Sequence, residues 1–153
     1  MEVNILIEHG EELVAPLPLE ELTTFVMRYM KCPENTDVSL SFVTDERIHV
    51  LNREYRGMDK PTDVLSFECD NVPFEDEDVD ENVEYELGDT IIATDVAAAN
   101  AEKYGSTFEA EITLLITHSI LHLLGYDHVE EEEAEEMEAL EDEIIAAWNE
   151  SRR

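Results

Sequence analysis

The 153-residue sequence has little cysteine, glycine or proline, and no long hydrophobic run. Two cysteines, Cys32 and Cys69, cannot form a disulfide framework and predict reduced thiols in a cytoplasmic protein. No stretch approaches the roughly 18 apolar residues of a spanning helix, and Met1–Asn4 lacks the basic start of a secretory signal, so we expect no membrane partner. No linker or internal repeat divides the chain, which predicts a single domain over residues 1–153.

Basic residues are also scarce. Nine Lys and Arg face 40 Asp and Glu, for a formal net charge of −31. This charge argues against binding nucleic acid through a general electrostatic field. Half of the acids, however, lie in two segments without a basic residue, 68–86 and 130–143, so a local site elsewhere can still be neutral or basic. We interpret these segments as an acidic insertion over about 68–86 and an acidic C-terminal helix over about 130–149, both most simply solvated.

Hydrophobic periodicity predicts four strands and about five helices, an α+β fold with a four-stranded mixed sheet. The helix over 106–124 is apolar nearly all round and is expected to be the central buried helix. Strands are predicted at about 2–8, 38–42, 64–67 and 88–94, and helices at about 18–31, 45–55, 95–105, 106–124 and 130–149.

Several residues are candidates for helix termini. Thr44 or Asp45 is expected to cap the helix that follows them, and Asp95 the helix that follows it, because these side chains can accept a hydrogen bond from a free helix amide. Ser106 and Glu109 have the spacing of a capping box at the start of the central helix. Gly125 is placed to end that helix in a left-handed conformation.

Three of the five histidines lie within eleven residues. His118 and His122 are four residues apart, so both imidazoles leave the same helix face, and Gly125 lets the chain turn back and bring in His128. Three neutral imidazoles with an open fourth position are typical of catalytic zinc, although nickel, copper or iron would also bind them. Asp127 could accept a hydrogen bond that orients one ring. A histidine pair alone is also common in protein cores.

The spacing H-x3-H-x2-G-x2-H is the one found in metzincin proteases, and the fold prediction therefore includes a metzincin-like metal site on the central helix. Those proteases carry a glutamate general base directly after the first histidine. Ser119 occupies that position here and cannot act as a base at neutral pH. This argues against a metallopeptidase.

The sequence resembles the YbeY family of bacterial endoribonucleases, or rRNA maturation factors, in three blocks between about residues 38 and 128. The metal motif of the family matches over 118–128, with Ser119 in place of glycine. A second block, 51–67, matches the family pattern L-N-x-x-[YF]-R-x-x-D-K-P-T-D-V-L-S-F, and a third, 87–92, resembles its G-D-I-x-I strand.

The resemblance implies a zinc-dependent, single-strand-specific endoribonuclease of 16S rRNA 3′-end maturation and ribosome quality control. By matching motif positions, the resemblance implies that His118, His122 and His128 bind one Zn²⁺ per chain. It likewise implies that Arg56 is the functionally important arginine of the family. The guanidinium would stabilise the phosphodiester while the metal activates water or polarises the phosphate, although the attacking group could equally be the RNA 2′-hydroxyl.

Two alternatives for these assignments stay open. Among 40 acids, Arg56 could instead form a surface salt bridge, and the protein could be a metal-stabilised ribosome assembly factor that does not cut RNA. Because a protein of this charge should bind free RNA poorly, we expect ribosomal proteins or assembly factors to present the single-stranded rRNA.

Overall fold

A computed structural model describes residues 1–69, 79–127 and 130–153. In this part of the chain, four strands and five helices form from the predicted periodic segments, and a sixth, short helix was not predicted. They are β1 (Glu2–Ile7), α1 (Glu11–Val14), α2 (Leu19–Tyr29), β2 (Thr36–Val43), α3 (Asp45–Arg56), β3 (Val64–Glu68), β4 (Tyr85–Ala93), α4 (Thr94–Lys103), α5 (Phe108–Leu123) and α6 (Glu131–Ser151).

The four strands form one mixed sheet in the order β1-β2-β4-β3. β1, β2 and β4 run parallel, whereas β3 pairs antiparallel with β4 and lies at an edge. The predicted α+β fold with a four-stranded mixed sheet is therefore confirmed. The prediction of about five helices missed α1, a single turn too short to show a periodic pattern.

Helices cover both faces of the sheet, but unequally. The main hydrophobic core joins α2, α5 and α6 to one face, and a smaller cluster joins α3 to the other face around Val43, Ile48 and Leu65. Ten of the 16 residues of α5 are buried, so the predicted central helix is confirmed. No helix in the described ranges is long and apolar enough to cross a bilayer.

Three predicted boundaries were wrong. β4 starts at Tyr85, inside the predicted acidic insertion, because its first residues pair with β2. α4 starts at Thr94, so Asp95 lies in its first turn, where its carboxylate is 2.9 Å from His9 Nε2 instead of capping the helix. Thr107, not Ser106, caps α5 and accepts a hydrogen bond of 3.1 Å from the backbone N–H of Ala110.

Two predicted helix ends are confirmed. The Thr44 hydroxyl accepts a hydrogen bond of 3.2 Å from the Arg47 backbone N–H at the start of α3. At the end of α5, Gly125 has a φ of 99°, and the backbone N–H groups of Gly125 and Tyr126 each donate over 3.0 Å to His122 O and Leu121 O. This is a Schellman ending, which stops the helix directly after the second histidine.

Cys32 and Cys69 form no disulfide in the structure. Burial raises the pKa of the Cys32 thiol to about 12, so this side chain stays protonated and behaves as a small apolar group. Cys69 is exposed just after β3.

A buried polar cluster connects α4 and α5 to the loop before β3. The Asn100 amide lies 3.4 Å from the Asp63 carboxylate and also donates to Glu111, which is 8% exposed. Burial raises the pKa of the Glu111 carboxyl, the nearby Asp63 charge raises it further, and the Asn100 hydrogen bond partly opposes both effects. The cluster fixes the start of β3 against the central helix.

Replacing Glu111 with glutamine should therefore raise the melting temperature at neutral pH. The raised pKa means that the folded protein favours protonated Glu111, and the associated stability is lost as pH rises through the folded-state pKa. The melting temperature of Glu111→Gln minus that of the wild type should be near zero at about pH 4 and positive at about pH 7.5. Glu109→Gln, exposed on the same helix, is the control. A difference that does not depend on pH would contradict this assignment.

The net charge of −31 predicts a second stability effect. Repulsion among the acids destabilises the folded state. Salt screens this repulsion, whose range falls from about 10 Å at 0.1 M salt to about 3 Å at 1 M. We expect the melting temperature, followed by circular dichroism, to rise steadily as KCl increases over this range. A flat or falling melting temperature would show that self-repulsion does not limit stability.

Candidate active site

A cleft of about 620 Å³ lies along the outer edge of β3, and three of the predicted site residues, Arg56, His118 and His122, line it. His128 and Val129 lie outside the described residues, so the position of the third predicted ligand is not described. The lining of the cleft comes from α3, the 62–68 segment, α5 and the turn after it, and comprises Tyr55, Arg56, Thr62, Asp63, Val64, Leu65, Ser66, Phe67, Glu68, His118, His122 and Asp127.

The two histidine side chains converge. They lie one turn apart near the end of α5, with ring centroids 4.5 Å apart and ring planes at 80°. Their Nε2 atoms are 3.0 Å apart and both half-buried rings line the cleft. This arrangement follows from the four-residue spacing on a helix whose other faces are buried.

The orientation of His118 is set from α6. Its Nδ1 atom is hydrogen-bonded to the Glu141 carboxylate, whose side chain is only 9% exposed. A carboxylate can only accept, so this contact requires a proton on Nδ1, and in the neutral imidazole the lone pair is then on Nε2, which faces the cleft. Metal-binding histidines are held by a carboxylate in this way. For His118 the carboxylate that holds Nδ1 is that of Glu141.

Glu141 is a site residue that the sequence analysis missed. It belongs to the acids of segment 130–143, for which the charge pattern predicts exposure to solvent. A signal was nevertheless present, because Glu141 follows Met137 by four residues and precedes Ile144 by three, on the buried side of α6. A carboxylate on an apolar helix face needs a polar partner.

The geometry of the described histidines fits a metal ion. Zinc binds imidazole nitrogen at about 2.0–2.1 Å, so one ion can reach both Nε2 atoms across their 3.0 Å separation. Among residues 1–69, 79–127 and 130–153, no group of three or more metal-binding side chains comes together. A complete three-histidine set would need His128, which lies outside these ranges.

Arg56 is the last residue of α3, and Gly57 follows it with a φ of 70° and ends the helix. The Arg56 side chain is exposed and lines the cleft. Within the described ranges, no carboxylate forms an ion pair with it, so the surface salt bridge considered as an alternative is not found there. Its guanidinium is therefore placed to meet an anion that enters the cleft.

The backbone of β3 also contributes to the cleft. Asp63 O accepts from Ala93 N over 2.9 Å and Cys69 N donates to Leu87 O over 3.2 Å, so odd-numbered residues of this strand direct their backbone groups toward β4. In an antiparallel pair of strands, the backbone N–H and C=O groups of the residues in between point away from the partner strand. The N–H and C=O groups of Val64, Ser66 and Glu68 thus point away from β4, on the side of the cleft.

Ser119 faces the sheet. Its fully buried hydroxyl lies 2.6 Å from both Ser66 Oγ and Thr90 Oγ1, which joins α5 to two strands. It is neither a base nor an exposed nucleophile. In metzincin proteases this position holds the catalytic glutamate, whereas here Ser119 holds α5 against the sheet. This agrees with the expectation that the protein is not a peptidase of that kind.

Comparison with known proteins identifies the family. The family model described as "Endoribonuclease YbeY" matches residues 14–149. The YbeY endoribonuclease of Thermoanaerobacter sp. strain X514 is 42% identical, covering 96% of this chain and 98% of the relative. That of Halalkalibacterium halodurans is 41% identical, covering 96% of each chain.

A solved structure shares the fold. The solution structure of a Thermotoga maritima protein superposes with a TM-score of 0.56 at 29% sequence identity, covering 97% of this chain and 93% of that chain. The family match, the two relatives and this structure all extend over nearly the whole length. The chain therefore belongs to the YbeY family of endoribonucleases.

Proposed function

We propose that this protein is a zinc-dependent endoribonuclease that cuts single-stranded 16S rRNA precursor in 3′-end maturation and ribosome quality control. The observation that carries the proposal is the pair of Nε2 atoms, 3.0 Å apart, in the cleft that also contains Arg56. The relatives named as endoribonucleases support RNA as the substrate.

One metal ion would be held by His118, His122 and His128, in a metzincin-like arrangement at the end of α5. Because imidazoles are neutral, a bound Zn²⁺ supplies its full charge as a Lewis acid at the scissile phosphate. Glu141 keeps the proton of His118 on Nδ1 and so keeps Nε2 available.

Arg56 binds the substrate. Its guanidinium donates to the non-bridging oxygens of the phosphodiester and stabilises the charge that develops on them during cleavage. The exposed position at the end of α3 leaves the side chain room to close on a phosphate. A lysine could supply charge but not the two parallel hydrogen bonds of the guanidinium.

The charge of the protein determines how its substrate arrives. A net charge of −31 repels free RNA, and the acids of α6 lie mostly in solvent. Ribosomal proteins, which would present rRNA together with positive charge, can offset this repulsion. Cleavage of precursor in ribosomal particles should therefore be faster than cleavage of the same RNA alone.

Replacing a site residue should strongly reduce or abolish cleavage without unfolding the protein. We expect Arg56→Ala to reduce the cleavage rate of single-stranded rRNA precursor about 10²–10³-fold, because it removes a donor to developing charge. His122→Ala should remove both cleavage and stoichiometric zinc, measured by gel assay and by elemental analysis. Melting temperatures check that both variants are folded.

Matched controls come from the surface of α3. Arg53→Ala changes an exposed arginine three residues from Arg56, and His49→Ala changes a histidine paired with Asp59 at 2.7 Å. Both should cut RNA and bind zinc like the wild type. Zinc-loaded wild type that binds ribosomal particles but never cuts RNA would instead favour the non-cleaving assembly factor, and peptide cleavage would favour a metallopeptidase.

Glu141→Gln should weaken metal binding while leaving the shape of the site intact. Loss of such a supporting carboxylate typically lowers metal affinity about 10–100-fold. Competition with a chromophoric chelator measures the affinity directly, without reference to activity. Glu138→Gln, exposed on the same helix, is the control. Equal zinc affinity of Glu141→Gln and wild type would show that the contact with His118 does not support the metal.

A further inference from the structure

Tyr55 is an exposed aromatic residue at the mouth of the cleft. Its side chain lines the cleft beside Arg56, and the residue is 66% exposed. Neither the metal site nor the phosphate contact uses it. An aromatic face next to a phosphate-binding arginine is the arrangement with which proteins bind unstacked nucleobases.

The ring of Tyr55 is held in place. It meets Phe67 of β3 edge to face, with centroids 5.3 Å apart and planes at 73°. Phe67 in turn packs against the smaller core cluster that includes Ile48 and Leu65. Because the ring is already positioned before a base arrives, stacking costs little conformational entropy.

The cleft passes around the edge of the sheet. Neighbouring residues of β3 project to opposite faces, and Ser66 contacts Ser119 of α5 whereas Phe67 contacts Tyr55 of α3. The histidines and Tyr55 therefore lie on opposite sides of this strand. A flexible single strand can follow such a path, but a stiff double helix cannot.

Electrostatic attraction alone is too weak to hold RNA here. The cleft lining contains one arginine but three carboxylates, those of Asp63, Glu68 and Asp127. Stacking on an aromatic ring does not depend on the charge of the protein and accepts every base. Base stacking can therefore add RNA affinity to a chain that is strongly acidic.

We propose that Tyr55, supported by Phe67, is a base-stacking subsite for a nucleotide next to the one whose phosphate binds Arg56. This assignment rests on the proposed function. It makes Tyr55 a substrate-binding residue and gives the cleft a structural reason to select single strands.

The test measures binding separately from cleavage. The probe is a short single-stranded RNA that carries 2-aminopurine in place of one base at successive positions, because stacking on an aromatic ring quenches its fluorescence. Wild type should quench at one position, and Tyr55→Ala should lose the quenching and bind about 5- to 100-fold more weakly. Tyr55→Phe should retain both, whereas Tyr55→Leu should lose them.

Tyr104→Ala is the matched control, since Tyr104 is 70% exposed but lies outside the cleft lining. Equal quenching and affinity in wild type and Tyr55→Ala, or no quenching by wild type at any position, would overturn the subsite. If wild type quenches through Tyr55 but never cuts RNA, the proposed nuclease function fails while the subsite stands. If wild type cuts RNA and Tyr55→Ala has the same KM, the subsite fails alone.

Discussion

The contact between Glu141 and His118 is the interaction on which the site depends. It joins α6 to α5 across the main core, and it keeps the proton on Nδ1 so that Nε2 faces the cleft. Without it, the His118 ring could rotate or exchange its proton between nitrogens. The buried carboxylate is stable in this position because it has a polar partner, and the imidazole is oriented because the carboxylate cannot donate. The packing of α6 against α5 thus also determines the orientation of a histidine in the cleft.

The distribution of charge explains how a member of an endoribonuclease family can have such an acidic composition. The acids of α6 that face solvent contribute repulsion, whereas Glu141 faces inward. In the cleft, Arg56 has no competing ion pair within the described ranges. Under the function proposed above, affinity for RNA would come from a few directed contacts and from partners that carry positive charge, because the overall electrostatic field of the protein repels RNA. High net charge and a specific phosphate contact are compatible when they are separated in space.

Much of this architecture could be predicted because local signals and packing agree. The four-residue spacing of His118 and His122 and the helix end at Gly125 depend only on residues of a single helix. Both features could therefore be predicted from the local sequence. Helix starts were harder, since Ser106 and Thr107 both have side chains suited to capping and only packing decides between them. The role of Glu141 depends on two helices meeting, and no local pattern states which buried partner a carboxylate will find. The same holds for Tyr55, whose contact with Phe67 joins a helix to a strand twelve residues later.

X-ray absorption at the zinc edge of the metal-loaded protein would identify the atoms that bind the metal. We expect a first shell of imidazole nitrogens at about 2.0–2.1 Å, with the multiple scattering typical of histidine and no sulfur. A sulfur contribution at about 2.3 Å would place the metal on a thiol, such as the exposed Cys69. A shell of oxygen alone would place it among the surface acids. Either result would contradict a metal site built on His118 and His122.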